Sequence, residues 1–96
     1  MDLSIVVPVY NEEECVEALC EKINSALSTL KKTWEVVLVD DGSTDRTWEK
    51  LLEQGKKFKG FKLIRFRGNF GQTAAMSAGF HEAKGDIIIT LDADLQ

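Results

Sequence analysis

Asp92 and Asp94 stand two residues apart, directly after the apolar run Ile87-Ile88-Ile89-Thr90-Leu91. In an extended segment, residues two apart leave the backbone on the same side. Two carboxylates held that close repel unless a cation or a shared proton joins them. A divalent ion with oxygen ligands, Mg²⁺ or Mn²⁺, resolves the repulsion, keeps some of its waters and accepts diphosphate oxygens. A second acidic pair, Asp40-Asp41, follows the run Val36-Val37-Leu38-Val39 and precedes Gly42-Ser43. A carboxylate at a strand end can accept the ring N–H of a uracil or guanine, and it can equally cap the turn into the next helix. One aspartate for each duty is the expectation. Tyr10, two residues after Pro8 at the end of the first apolar run, offers a ring face for stacking on a base or a half-buried packing surface. Arg65 and Arg67 could reach phosphate, although solvated strand-end arginines are the ordinary case, and the lone His81 is given no role.

These residues need elements to hold them. Apolar runs of a few β-branched residues read as strands buried on two faces. The first run is Leu3 to Val7 with Pro8 at its end, where a missing N–H does least harm. Val16, Leu19, Ile23, Leu27 and Leu30 then recur at helical steps. Asn11 is the expected N-cap of that helix, with Glu14 as capping-box partner. Trp34 to Val39 is the second strand. Ser43 or Thr44 is the expected cap of a second helix that buries Trp48, Leu51 and Leu52. Phe61 to Phe66 alternates apolar and basic residues, as suits a strand nearer an edge. Asn69-Phe70-Gly71 opens the third helix, which carries the small residues Ala74, Ala75, Ala78 and Gly79 inward and ends at Gly85. Asp86 to Leu91 is the fourth strand. The alternation predicts an α/β, Rossmann-like open, mostly parallel sheet with helices on both faces. If the first three strands run outward and the fourth returns beside the first, the order is 3-2-1-4. Ligands bind where such a winding reverses, outside the carboxyl ends of the strands. Pro8, Tyr10, Glu12, Asp40, Asp41, Asp92 and Asp94 would then share one rim.

The chain has 96 residues and a formal charge of −4, with 44% hydrophobic and 29% charged residues. That is one small domain of ordinary soluble composition. It has no basic block or stripe, which argues against nucleic acid as a partner. No leader-like start and no membrane-spanning run is seen. Cys15 and Cys20 would lie about 140° apart around one helix and read as reduced thiols of a cytoplasmic protein. There is no GxGxxG after the first strand, no GxxxxGK[ST] and no GxSxG. Gln96 comes immediately after the second acidic cluster, so the expectation is the first part of a larger enzyme.

Four motifs now stand in order: Val6-Val7-Pro8-Val9-Tyr10-Asn11-Glu12-Glu13, Val39-Asp40-Asp41-Gly42-Ser43-Thr44-Asp45, Asn69-Phe70-Gly71-Gln72-Thr73-Ala74-Ala75, and Gly85-Asp86 with Asp92-Ala93-Asp94-Leu95-Gln96. Together they resemble family 2 glycosyltransferases of the GT-A fold. Within that family they are most similar to the polyprenyl-phosphate branch, which includes dolichol-phosphate mannosyltransferases and undecaprenyl-phosphate sugar transferases. The resemblance covers the whole chain. It implies a UDP- or GDP-sugar donor, Mg²⁺ or Mn²⁺, and inverting single-displacement transfer of a hexose to a polyprenyl phosphate at a membrane surface. It implies that Pro8, Tyr10 and Glu12 line base and ribose, and that Asp41 or Asp40 reads the base. Asp92 and Asp94 would serve the metal and the diphosphate as the catalytic pair, and Gln96 would help hold the metal. The family domain continues past the Asp-x-Asp motif. The expectation is therefore the nucleotide-sugar-binding part alone, over residues 1–96, inactive by itself, with an open edge on the fourth strand available for self-association. Membrane association would come from regions outside this chain.

Three rivals share some of these features. In haloacid-dehalogenase-type phosphatases an Asp-x-Asp stands on the first strand and is followed by Thr or Val. Here it stands on the fourth and is followed by Leu95-Gln96. A phosphoreceiver-like signalling domain needs an acidic pair after the first strand and an Asp after the third, where this chain has Val9-Tyr10-Asn11 and Arg67-Gly68-Asn69. The third is a family segment that does not fold stably.

Overall fold

The structure, a computed structural model, describes residues 1–93. β1 (Leu3–Val9), α1 (Val16–Ser28), β2 (Trp34–Asp40), α2 (Thr47–Lys57), β3 (Phe61–Arg65), α3 (Gln72–Glu82) and β4 (Ile87–Thr90) follow one another. The strands form one parallel sheet in the order β3-β2-β1-β4. This is the α/β architecture and strand order the sequence predicts, with the winding reversing between β1 and β4.

The two-residue period of a strand sorts the side chains. Leu3, Ile5, Val7 and Val9 of β1 and Val36 and Leu38 of β2 face α1 and α2, where they pack with Val16, Leu19, Ile23, Leu27 and Leu51. Val6, Val37 and Val39 point the other way and pack on Ala75 of α3. Helices therefore cover both faces, and the two central strands are buried along almost their whole length. The small residues of α3 do what their size predicts. A Cβ added at Gly79 would lie 2.3 Å from Val6 Cγ1, so only glycine lets the helix come this close.

At the amino-terminal end of the sheet, Glu35 is buried in a polar cluster. Ser4 Oγ and the Lys84 amide each donate to its Oε2 at 2.6 Å, and Lys62 Nζ lies 2.7 Å from its Oε1. Burial opposes the charge on Glu35, but Lys62, Ser4 and the Lys84 amide outweigh it and hold the carboxyl down at about 2.

Four sequence expectations are corrected. β4 is not buried on two faces: Ile87, Ile88 and Ile89 are 62%, 40% and 43% exposed. It forms the outer edge, as the order 3-2-1-4 requires, but α3 packs over β1 and β2 rather than over β4. Leu30 lies beyond α1 and is exposed, and Leu52 faces solvent while Thr47 and Gln54 of α2 are buried. Gly85 does not end α3, which stops at Glu82. It lies instead against β1, where an added Cβ would come 2.5 Å from the Ser4 nitrogen.

Candidate functional site

A cavity of about 360 Å³ opens at the carboxyl ends of β1 and β4, lined by Pro8, Val9, Tyr10, Glu12, Asp41, Gln72, Asp92 and Ala93. Its position is the reversal of strand order. Strand alternation explains its membership. Pro8 leaves β1 on the α3 face, two residues after Val6. Asp41 follows β2 on that same face, two residues after Val39. β4 is in register with β1 through Val6 and Thr90, and Leu91 N donates to Val6 O at 3.1 Å. Continuing that alternation sends Leu91 and Ala93 to the α1 side, where both pack, and Asp92 to the α3 side. Three distant segments thus converge from one parity rule.

Asp40 and Asp41 divide their duties as expected. Asp40 is fully buried and turned toward α2. Its Oδ1 accepts from the Ser43 amide at 3.1 Å and from Ser43 Oγ at 2.5 Å, which makes it the turn cap, and it does not line the cavity. Asp41 accepts from the Phe70 amide at 2.8 Å, the Gly71 amide at 3.0 Å and Asn69 Nδ2 at 3.2 Å. A carboxylate offers about four acceptor positions, so Asp41 clamps the start of α3 and keeps capacity for one more donor. Gly42 makes this approach feasible. Its φ is +71°, and an added Cβ would fall 2.2 Å from the carbonyl carbon of Gly68.

The capping expectations differ from what forms. α1 begins at Val16, and Asn11 is not its N-cap. Asn11 takes a left-handed φ of 49°, which asparagine tolerates better than most residues, and its Oδ1 accepts from the Thr44 amide at 2.8 Å. In return Ser43 Oγ accepts from the Asn11 amide and Thr47 Oγ1 from the Glu12 amide. The loops after β1 and β2 are therefore stitched together, and the stitching fixes Tyr10 and Glu12 on the rim. Neither Ser43 nor Thr44 caps α2. The N-cap position is Arg46, with no side-chain cap, and Asp45 just before it accepts from the Thr47 amide through Oδ1 at 2.9 Å. Burial disfavours its charge, yet the Thr47 hydroxyl, the Thr47 amide and the Glu13 amide prevail and hold the carboxyl below its ordinary range.

Tyr10 is 43% exposed and lines the cavity. Arg65 and Arg67 line a separate depression with Gly42, Ser43, Thr44 and Phe66, and the Arg65 guanidinium lies over Trp48. Asp94 and Gln96 lie outside the described residues. Gln72 was not foreseen. It stands at the first position of α3, lines the cavity and donates from Nε2 to Asp92 Oδ1 at 3.3 Å. It stands within the motif from Asn69 to Ala75, but no periodicity or composition gives such a residue a role. Among the described residues no group of three or more His, Cys, Asp or Glu side chains is placed to hold a metal ion.

Glu12, Asp41 and Asp92 make the cavity anionic, and no cationic side chain is among its lining residues. A parallel open sheet with a polar cavity at its switch point defines a Rossmann-like α/β domain of the kind that binds ligands at that crevice. The sequence matches the Glycosyl transferase family 2 profile over residues 4–96. The chain belongs to that family, and its fold is GT-A. It is 47% identical over 96 residues to the undecaprenyl-phosphate 4-deoxy-4-formamido-L-arabinose transferase of Pectobacterium carotovorum, covering 99% of this chain and 29% of that protein. Among solved structures, a mannosyltransferase from Pyrobaculum calidifontis in complex with GDP-Man and Mn²⁺ superposes with a TM-score of 0.87 at 26% identity, over 96% of this chain and 27% of that one. S. aureus TarS in complex with UDP gives 0.85 at 28% identity, over 98% and 28%. The chain thus spans less than a third of the length of these relatives. Family membership sets aside the phosphatase and phosphoreceiver alternatives.

Proposed function

We propose that this chain forms the donor-binding side of a glycosyltransferase that moves a hexose from a UDP- or GDP-sugar to a polyprenyl phosphate at a membrane surface. The observation that carries the reading is the anionic cavity at the strand reversal. A nucleoside diphosphate is repelled by three carboxylates and no cation, so it fits there only in company with a metal. Mg²⁺ and Mn²⁺ suit the oxygen donors on offer, because such ions commonly take one or two carboxylates and complete their shell with water and phosphate. The reading assigns Asp92, together with Asp94 and Gln96, to that ion.

In this proposal Pro8 and Tyr10 flank the base, Asp41 spends its remaining acceptor position on the base N–H, and Glu12 faces the ribose. When bound, the metal supplies charge stabilisation on the departing diphosphate. The acceptor phosphate has a second pKa of about 6, so it arrives ionised and asks no general base of the chain. Attack at the sugar C1 then inverts that centre. Among the described residues no helix is long and apolar enough to cross a membrane, and membrane attachment is assigned to parts outside this chain. The uncovered edge of β4 is the proposed surface for self-association.

Calorimetry of the chain with UDP and GDP sugars tests the reading. Binding that appears with Mn²⁺ and vanishes with EDTA supports it. Equal binding with and without metal contradicts it.

A further inference from the structure

Gln72 is the polar cavity residue to which the donor reading gives no task. Its side chain is exposed, so packing does not fix it, yet it lines the cavity and donates to Asp92. A carboxylate only accepts, so the amide atom that meets Asp92 is the nitrogen and the orientation of the group is set. The residues just before it are held independently. Gly71 takes a φ of +100°, and the amides of Phe70 and Gly71 are both bound by Asp41. A continuous path therefore runs from Asp41 through the 69–71 backbone to Gln72 and on to Asp92. It joins the ends of β2 and β4, which are not neighbours in the sheet because β1 lies between them.

We infer that Gln72 is a positioning residue of this site: by binding Oδ1 of Asp92 it holds that carboxylate in place and leaves Oδ2 for a divalent cation. The inference rests on the donor-site reading of the cavity. An amide suits the task because it steadies a carboxylate without carrying charge. A lysine at this position would pair with Asp92 and compete with the cation. An alanine would leave the carboxylate free to rotate.

The test is Mn²⁺ titration followed by electron paramagnetic resonance on the chain, with Gln72→Ala, Gln72→Lys and Asp92→Asn, and the unfolding midpoint of each measured without metal. Partners that orient a metal ligand are worth about 10–100-fold in affinity. An exposed bond of 3.3 Å belongs at or below the low end of that range. Gln72→Ala is expected to weaken Mn²⁺ binding about 5- to 10-fold. Gln72→Lys should lose more, and neither should move the unfolding midpoint. Mn²⁺ binding unchanged in both Gln72 variants but lost in Asp92→Asn overturns the inference and leaves the donor reading standing. Mn²⁺ binding that is absent in the unaltered chain, or unchanged in Asp92→Asn, overturns both.

Discussion

At the end of β2 the two-residue period sends Asp40 to one face of the sheet and Asp41 to the other. Adjacency in sequence therefore says nothing about shared duty, and each carboxylate is best judged by its donors. Asp41 binds three of them, all from residues 69–71. Asp41→Ala strands two backbone amides, and unsatisfied partly buried groups cost about 1–3 kcal/mol each. We expect a loss of about 2–4 kcal/mol in urea unfolding, together with loss of nucleotide binding. Unfolding as stable as the parent would show that the clamp carries no weight. Glu35 makes a pH-dependent contribution. Its folded-state carboxyl titrates at about 2 against an ordinary 4.5, so the folded form binds fewer protons between those values. The stability it supplies is fully present above about pH 4.5 and is lost as pH falls toward 2. Urea midpoints measured from pH 6 down to pH 2 should fall less steeply in Glu35→Gln than in the parent chain. Parallel curves would remove Glu35 from the account.

Among the elements, those with strong internal patterns were legible in the sequence. β1 and β2 are continuous β-branched runs and came out central and buried. The 3.6-residue repeat located α1 and α2. What the sequence did not show was which surfaces neighbours leave uncovered. The order 3-2-1-4 already placed Ile87-Ile88-Ile89 at an open edge, but its local signature, the same as that of Val36-Val37-Leu38, did not show that α3 leaves its side chains uncovered. Caps were misassigned for a related reason. Asn11 and Asp45 are good acceptors near helix starts, but the loops after β1 and β2 meet, and Asn11 was recruited across that contact rather than within its own segment. Five of the eight lining residues of the cavity were not a surprise. Pro8, Tyr10, Glu12, Asp41 and Asp92 follow from strand ends and parity, whereas Gln72 depends on how α3 is aimed. That aim rests on close contact with β1. Gly79→Ala places a methyl 2.3 Å from Val6 Cγ1. Overpacking of this kind costs about 1–3 kcal/mol, and the lowered thermal midpoint should come with weaker Mn²⁺-dependent nucleotide binding, as α3 is lifted from the sheet. A variant as stable as the parent would mean that the helix adjusts freely.

Across the whole molecule, the polar residues separate by end. The carboxyl-terminal rim carries the carboxylates of the cavity, with no cationic side chain among its lining residues. The amino-terminal end carries Glu35, which is enclosed and compensated by Lys62. The two ends should therefore respond differently to a cation. Amide signals of the chain recorded by NMR during a Mn²⁺ titration in the presence of UDP or GDP report this directly, because the ion broadens nearby resonances. Selective loss of the signals from Val9 to Glu12, Asp41, Gln72 and Asp92-Ala93, with those of Ser4, Glu35 and Lys84 intact, is the predicted result. Broadening centred on Arg65 to Arg67, or spread evenly over the surface, would contradict a single metal-and-nucleotide site where the strand order reverses.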